Sequence, residues 1–376
     1  MKGIRFYRIC LIITFALLFG ISGSPKSFAQ QSGDQAKLQK IRFGTQPFWA
    51  PSSIVFGAIG HDAILVKRLA ALGFEIEFTP FLNGTAVNAA IAKKEIQIGV
   101  GGEMPTLSAC VAQNTLSVSL VSFGFASIVA RKEMLMSDLR GKTVATVFGT
   151  TAHFAMLKFL DLAGISTADL NVVSMQVTEM AQALKSRKID AFVAWEPTPQ
   201  IALNQNENFR TIGRILTTGY LYFGREFANR NEVVIQEILA AQMRASTWLG
   251  GRRENIFQAA KWNFDTARNM GEGAMTVDLA DFESVIDDSL RAASGLPLIS
   301  DKDRGPSGRI ATALDFLVNR GAVPAGYDWH KISGCFDSHH LLNVLKKPVT
   351  YQLKEHSYIR DPSLNGPSGD RKSSND

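Results

Sequence analysis

Residues Ala89–Val100, AAIAKKEIQIGV, and Ala181–Val193, AQALKSRKIDAFV, decide how this chain is read. Each joins an alanine-rich stretch to a basic turn, Lys93-Lys94 in one and Arg187-Lys188 in the other, and then to a short apolar run. Alanine favours helix, whereas runs of isoleucine, valine and phenylalanine favour strand. Two helix-to-strand passages of the same kind predict two βαβ units in tandem.

Working outward, Lys40–Thr45 reads as a strand, Ser53–Leu72 as one or two helices, and Phe74–Phe78 as a second strand. Thr85 is expected to cap the helix that runs to about Lys94, and Ile96–Val100 returns as a strand. In the second unit, Thr143–Val147 is a strand and Gly149-Thr150-Thr151 opens a helix through Leu162 that Gly164 should end. Asn171–Met175, Glu179–Ser186 and Ile189–Val193 continue as strand, helix and strand, and Pro197 stops the ladder. The class is α/β. Beyond Tyr220 the pattern is helical over Val233–Leu249 and Asn255–Met270, and from about Lys354 it is rich in Ser, Asp, Gly and Pro.

The chain has 376 residues, 46% hydrophobic and 20% charged, enough for one large or two ordinary cores. Its net charge of +6 is misleading. Residues 1–29 hold Lys2, Arg5, Arg8 and Lys26 and no acid, and without them 36 basic residues face 34 acidic ones. That balance supplies no field for a polyanion, so nucleic acid is not expected as a partner. Three positive charges, the uncharged run Ile9–Ile21 and Ser27-Phe28-Ala29 form the pattern of a cleavable export signal, with cleavage expected after Ala29. The run is too short to span a bilayer comfortably. Cys110 and Cys335 then remain, compatible with one disulfide but not evidence for it.

Common hydrolase and nucleotide signatures are missing: there is no Gly-x-Ser-x-Gly, His-Glu-x-x-His or Gly-x-x-x-x-Gly-Lys-Ser/Thr. Gly99-Val100-Gly101-Gly102 lacks the spaced third glycine of a dinucleotide loop. His330, His339, His340 and His356 cluster late in the chain in no recognised ligand spacing, so neither a metal nor a cofactor is expected. More informative is Gly149-Thr150-Thr151-Ala152-His153, where small residues at a helix start leave backbone N–H groups beside the positive end of the dipole. The bland alternative is that Thr150 or Thr151 caps the helix. Asn83-Gly84-Thr85 offers a similar arrangement in the first unit. Gln46-Pro47-Phe48-Trp49 puts an amide and two aromatics in a stiff loop, able to wall a pocket or to cover an edge. Glu103 and Glu196 each stand at a strand end, where they could accept from a ligand amine or cap helices.

Several of these stretches, taken in order, resemble the ABC-transporter substrate-binding proteins for nitrate, sulfonate, taurine and pyrimidine precursors. They are Phe81-Leu82-Asn83-Gly84-Thr85, Lys94–Gly99, Asp138–Ala145, Gly149–His153 and Ile189–Pro197. The resemblance implies a two-lobed periplasmic-binding-protein-like fold of type II, two βαβ-rich lobes joined by crossing strands near Val121–Arg131 and Thr211–Phe223. Lobe 1 would comprise residues 40–125 and 218–350, lobe 2 residues 126–217, and residues 351–376 a disordered tail. It implies a periplasmic, hinge-bending, non-enzymatic monomer that hands a small solute to the membrane subunits of an ABC permease. Ligand contacts would come from Gln46, Phe48, Trp49, Asn83, Gly84, Thr85, Gly102, Glu103, Thr150, Thr151, His153, Trp195 and Glu196. The same fold also hosts pyrimidine-precursor synthases, whose cysteine-rich motif is absent here, and a ligand-sensing receptor subunit is a third possibility.

Overall fold

A computed structural model describes residues 38–50, 52–113, 115–270 and 296–358. The expected export signal and residues 359–376 of the expected tail lie outside the described residues. The architecture is an eight-stranded sheet among the described residues, in the order β2-β1-β3-β8-β4-β7-β5-β6, with helices between the strands. In the first half, β1 (Gln39–Thr45), β2 (Phe74–Pro80) and β3 (Ile98–Gly102) are parallel, and α1 (Ser52–Gly60), α2 (Ala63–Ala71) and α3 (Gly84–Ala92) connect them. In the second half, β5 (Thr143–Thr146), β6 (Asn171–Ser174) and β7 (Ala191–Trp195) repeat the arrangement with α5 (Thr151–Leu162) and α6 (Val177–Lys185).

Two long strands join the halves. β4 (Thr115–Arg131) and β8 (Phe209–Gly224) pair antiparallel along their length. β8 adds residues 219–223 to β3, and β4 adds residues 126–130 to β7. The order β2-β1-β3-β8 in one half therefore matches β6-β5-β7-β4 in the other. The inner strands β3 and β7 are buried at every residue, and so they read as continuous apolar runs rather than alternating ones.

Local details repeat as well. Lys94 and Arg187 both adopt left-handed backbone, with φ of 60° and 62°. After each, a residue closes the turn onto its helix: Glu95 N donates to Ala90 O and Lys188 N to Ala183 O. The two basic turns in the sequence are thus helix C-terminal turns of one design. Gln97 Oε1 accepts from Arg42 N at 2.8 Å, and Asp190 Oδ2 accepts from Thr143 N at 2.9 Å, so a side chain just before each inner strand pins the first strand of its half.

After β7 comes α7 (Thr198–Gln205), and around the first half pack α4 (Glu103–Gln113), α8 (Arg225–Arg230), α9 (Glu232–Gly251), α10 (Arg253–Arg268) and the chain from Leu296 onward. Cys110 on α4 is disulfide-bonded to Cys335. Arg244 on α9 is wholly buried, and Asp62, the N-cap of α2, pairs with it through Nε at 2.8 Å. Arg244 Nη1 also donates to Tyr351 O. This corrects the expected start of the tail at residue 351. Tyr351 is buried, Ala63 N donates to Ser357 O, and the Tyr358 ring stacks on Trp248 at 4.3 Å. Aromatic side chains, sparse in an otherwise polar segment, hold it down. Among the described residues no helix is long and apolar enough to cross a membrane.

Candidate functional site

Every strand of the two parallel sets ends on the same side as the loops that carry the expected site residues, and there the halves touch. Asn83, not Thr85, caps α3: its Oδ1 accepts from Ala86 N at 3.0 Å. A side chain at the N-cap, just before the helix, reaches the free first-turn N–H groups, which a residue already inside the helix does not. Asn83 Nδ2 donates across to Gln176 Oε1 at 3.4 Å, and Gln176 is the N-cap of α6. Thr85 Oγ1 donates to Phe148 O at 3.3 Å, also across the halves. A methyl group on Gly149, whose φ is +74°, would lie 3.1 Å from Thr85 Oγ1.

Gly102 meets Thr151 still more closely, since a methyl group there would fall 1.9 Å from Thr151 Oγ1. Gly84 is packed against Pro105 and near Gln46, whose Nε2 donates to Val100 O at 2.8 Å. These glycines let two backbones approach where any side chain would hold them apart.

The start of α5 differs from that of α3. Thr150 occupies the N-cap position but makes no side-chain cap bond; its hydroxyl donates to Val147 O at 2.5 Å. The first-turn N–H groups of α5 thus have no capping oxygen from Thr150 and sit at the positive end of the helix. His153, half-buried, accepts from Gly149 N at Nδ1 over 3.3 Å and lies beside the Phe148 ring. Burial lowers its pKa from the usual value. The ring is therefore neutral near pH 7, and the accepted bond at Nδ1 leaves its hydrogen on Nε2.

Glu103 opens α4 at the end of β3. Its Oε1 accepts from Thr218 N on β8 at 2.5 Å, while its buried Oε2 has no hydrogen-bond partner among the described residues. Burial raises its pKa to about 7, opposed by the Thr218 bond and by the positive charge of Arg309. Glu196, the corresponding residue at the end of β7, accepts from Gln200 N through Oε2 at 3.2 Å, and its carbonyl accepts from Ala50 N. Trp195 Nε1 donates to Phe48 O at 2.7 Å. Phe48 and Trp49, expected as pocket walls or an edge cover, are core residues here, exposed by 1% and 4%. What the loop contributes across the halves is its backbone.

The expected residues therefore fall in one connected set of contacts. Sequence reading missed Gln176, Thr218, Tyr220 and Arg309, which lie on or beside that set. For Gln176 a signal existed: Glu179, three residues later, accepts from Gln176 N in the manner of a capping box. A cavity of about 730 Å³ lies away from this site, among Lys40, Lys94, Gln97 and Arg225 at the other ends of β1 and β3.

Comparison with known proteins follows the same lines. The model of the NMT1-like family matches residues 69–263. A putative aliphatic sulfonates-binding protein of Escherichia coli is 26% identical over 257 residues, covering 65% of this chain and 76% of that protein. A putative ABC transporter periplasmic binding protein of Brachyspira hyodysenteriae is 37% identical over 209 residues, 50% of this chain and 58% of that protein. The crystal structure of the periplasmic nitrate-binding protein NrtA from Synechocystis superposes with a TM-score of 0.62 at 12% identity, over 84% of this chain and 91% of that one. The fold is that of the periplasmic binding proteins.

Proposed function

The chain belongs to the NMT1-like family, and from that membership we propose that it is the extracytoplasmic solute-binding component of an ABC importer. It captures a small anionic or polar solute of the sulfonate, taurine or nitrate kind between the two halves and delivers it to the membrane permease. The halves act as two lobes hinged on β4 and β8, and the protein works as a monomer without cofactor or catalytic step. It resides in the periplasm after cleavage behind Ala29. The Cys110–Cys335 bond supports an oxidising compartment.

The observation that carries this reading is the α5 start. A helix terminus whose cap residue turns its hydroxyl away offers backbone donors and a positive dipole end to an oxyanion. Neutral donors, including His153 Nε2, hold such an anion without an ion pair. Asn83 to Thr85 close over it from the other half. Solute that touches both halves stabilises the closed arrangement over the open one by those contacts alone. The permease must oppose that preference for release.

A thermal-shift panel on residues 30–376 with taurine, alkanesulfonates, nitrate and pyrimidines tests the reading. A ligand at a hundredfold excess over its dissociation constant adds about 2.7 kcal/mol to stability. Stabilisation by one of the oxyanions is expected. In Thr151→Pro, proline is tolerated at the first helical position but removes a donor, so the shift should shrink. Stabilisation by pyrimidines alone would keep the binding role and change the solute, and stabilisation by none of them would redirect the reading to a synthase-like enzyme or a sensing subunit.

A further inference from the structure

The chain beyond the family match makes a third connection between the halves. It leaves the first half at Pro297, whose carbonyl accepts from Leu120 N at 3.0 Å, and at Ile299, whose carbonyl accepts from Ser338 Oγ at 2.5 Å. It is fastened to the first half again by the Cys335–Cys110 bond. Between these anchors the helix Arg309–Asn319 packs on α4 and reaches over α5 of the second half. The Phe316 ring meets Phe154 edge-on at 5.7 Å, the Lys158 ammonium sits 3.7 Å from the Phe316 ring centre, and Arg320 pairs with Asp161. Phe154, Lys158 and Asp161 all lie on α5.

We propose that Leu296–Arg320 is a strap tied to the first half and pressed on the second, and that Phe316 and Arg320 are positioning residues for the solute site. They act through α5. Phe154 N donates to Thr150 O at 3.0 Å, so the ring that Phe316 contacts belongs to the first turn of the helix proposed to receive the solute. This rests on the functional reading above. β4 and β8 run continuously through both halves, whereas the fastenings of the strap, at Leu120, Ser338 and Cys110, lie on the first half and its contacts with α5 are side-chain contacts alone. Opening must therefore shear Phe316 from Phe154 and part Arg320 from Asp161. Contacts made only in the closed arrangement raise its population and with it the apparent affinity.

The test uses the full mature chain with Phe316→Ala, Arg320→Ala and, as a control on the exposed side of the same helix, Asp315→Ala. Hydrogen exchange of the amides at residues 151–155 is followed without ligand. The dissociation constant is measured for whichever of taurine, methanesulfonate or nitrate binds the wild type. Phe316→Ala should speed exchange and weaken binding, each about tenfold, Arg320→Ala about threefold, and Asp315→Ala not at all. Unchanged exchange at 151–155 in a cooperatively folded Phe316→Ala overturns the strap. If that variant does not fold, Arg320→Ala decides by the same criterion. If none of the three anions binds the wild type, the functional reading fails while the exchange data still judge the strap.

Discussion

Asn83 donates to Gln176 across the two halves, and each residue stands at the N-cap of the helix that follows the second strand of its own half. Equivalent positions of a duplicated arrangement thus meet face to face. Asn83 has two duties, since it also caps α3 through Ala86 N. Asn83→Ala should cost about 1 kcal/mol of stability, and Gln176→Ala, which removes only the contact across the halves, a few tenths. Urea unfolding of both variants checks the difference, and equal losses would reject the assignment of roles.

Gly102 controls how near the halves can come. In Gly102→Ala the added methyl would lie 1.9 Å from Thr151 Oγ1 and 2.9 Å from its Cβ, a contact that neither backbone can relieve without separating. Solute affinity should fall at least tenfold, on the order of 1.4 kcal/mol, while the unfolding midpoint in the absence of ligand changes little. A titration matching the wild type would show that the halves do not need this approach.

Glu103 makes stability depend on pH in an unusual direction for a carboxylate. Its pKa is raised by burial to about 7 in the folded protein, against 4.5 for an unperturbed group. Between these values the folded state holds a proton that the unfolded state lacks, so stability falls as pH rises and levels off above about 7. Glu103→Gln does not titrate. Its stability relative to wild type should climb between pH 4.5 and 7.5, by up to about 3 kcal/mol. Urea melts at three pH values in that window decide, and a difference independent of pH would refute the buried ionisation.

Trp195 is buried and spends its only side-chain donor on Phe48 O. Trp195→Phe leaves that carbonyl unpaired and should destabilise by roughly 1–3 kcal/mol. Because the bond runs between the two halves, much of any solute-induced tryptophan fluorescence change should vanish with it. Retention of the full signal would place the reporter at another tryptophan.

The parts of this fold that were legible in the sequence are those set by neighbours in sequence. Alternating strand and helix segments, the turn at Gly164 and the end of β7 before Pro197 all depend on local backbone preferences. The α5 start was visible for the same reason, because Gly149-Thr150-Thr151 is a local pattern. Whether Thr150 caps the helix was not, since its hydroxyl had a choice between a helix N–H and the Val147 carbonyl. Glu103 was visible as a carboxylate at a strand end, but its donor Thr218 lies 115 residues away on β8. Arg309 and Phe316 come from a segment with no local signature of a site. The packed stretch to Tyr358 was misplaced because two tyrosines and one arginine elsewhere outweigh its polar composition.

The pairing of β3 with β8 also sets an order of events in time. Strands β5, β6 and β7 and their helices are contiguous in sequence, so the second half has its parallel pairing partners as soon as that stretch has been made. The first half cannot, because β3 waits for residues 219–223 and Cys110 waits for a partner 225 residues later. During that interval Cys110 is a lone thiol on a helix beside an incomplete sheet, and its partner is the last cysteine of the chain to be made. The half synthesised first is therefore the one whose pairing and cross-link are completed last.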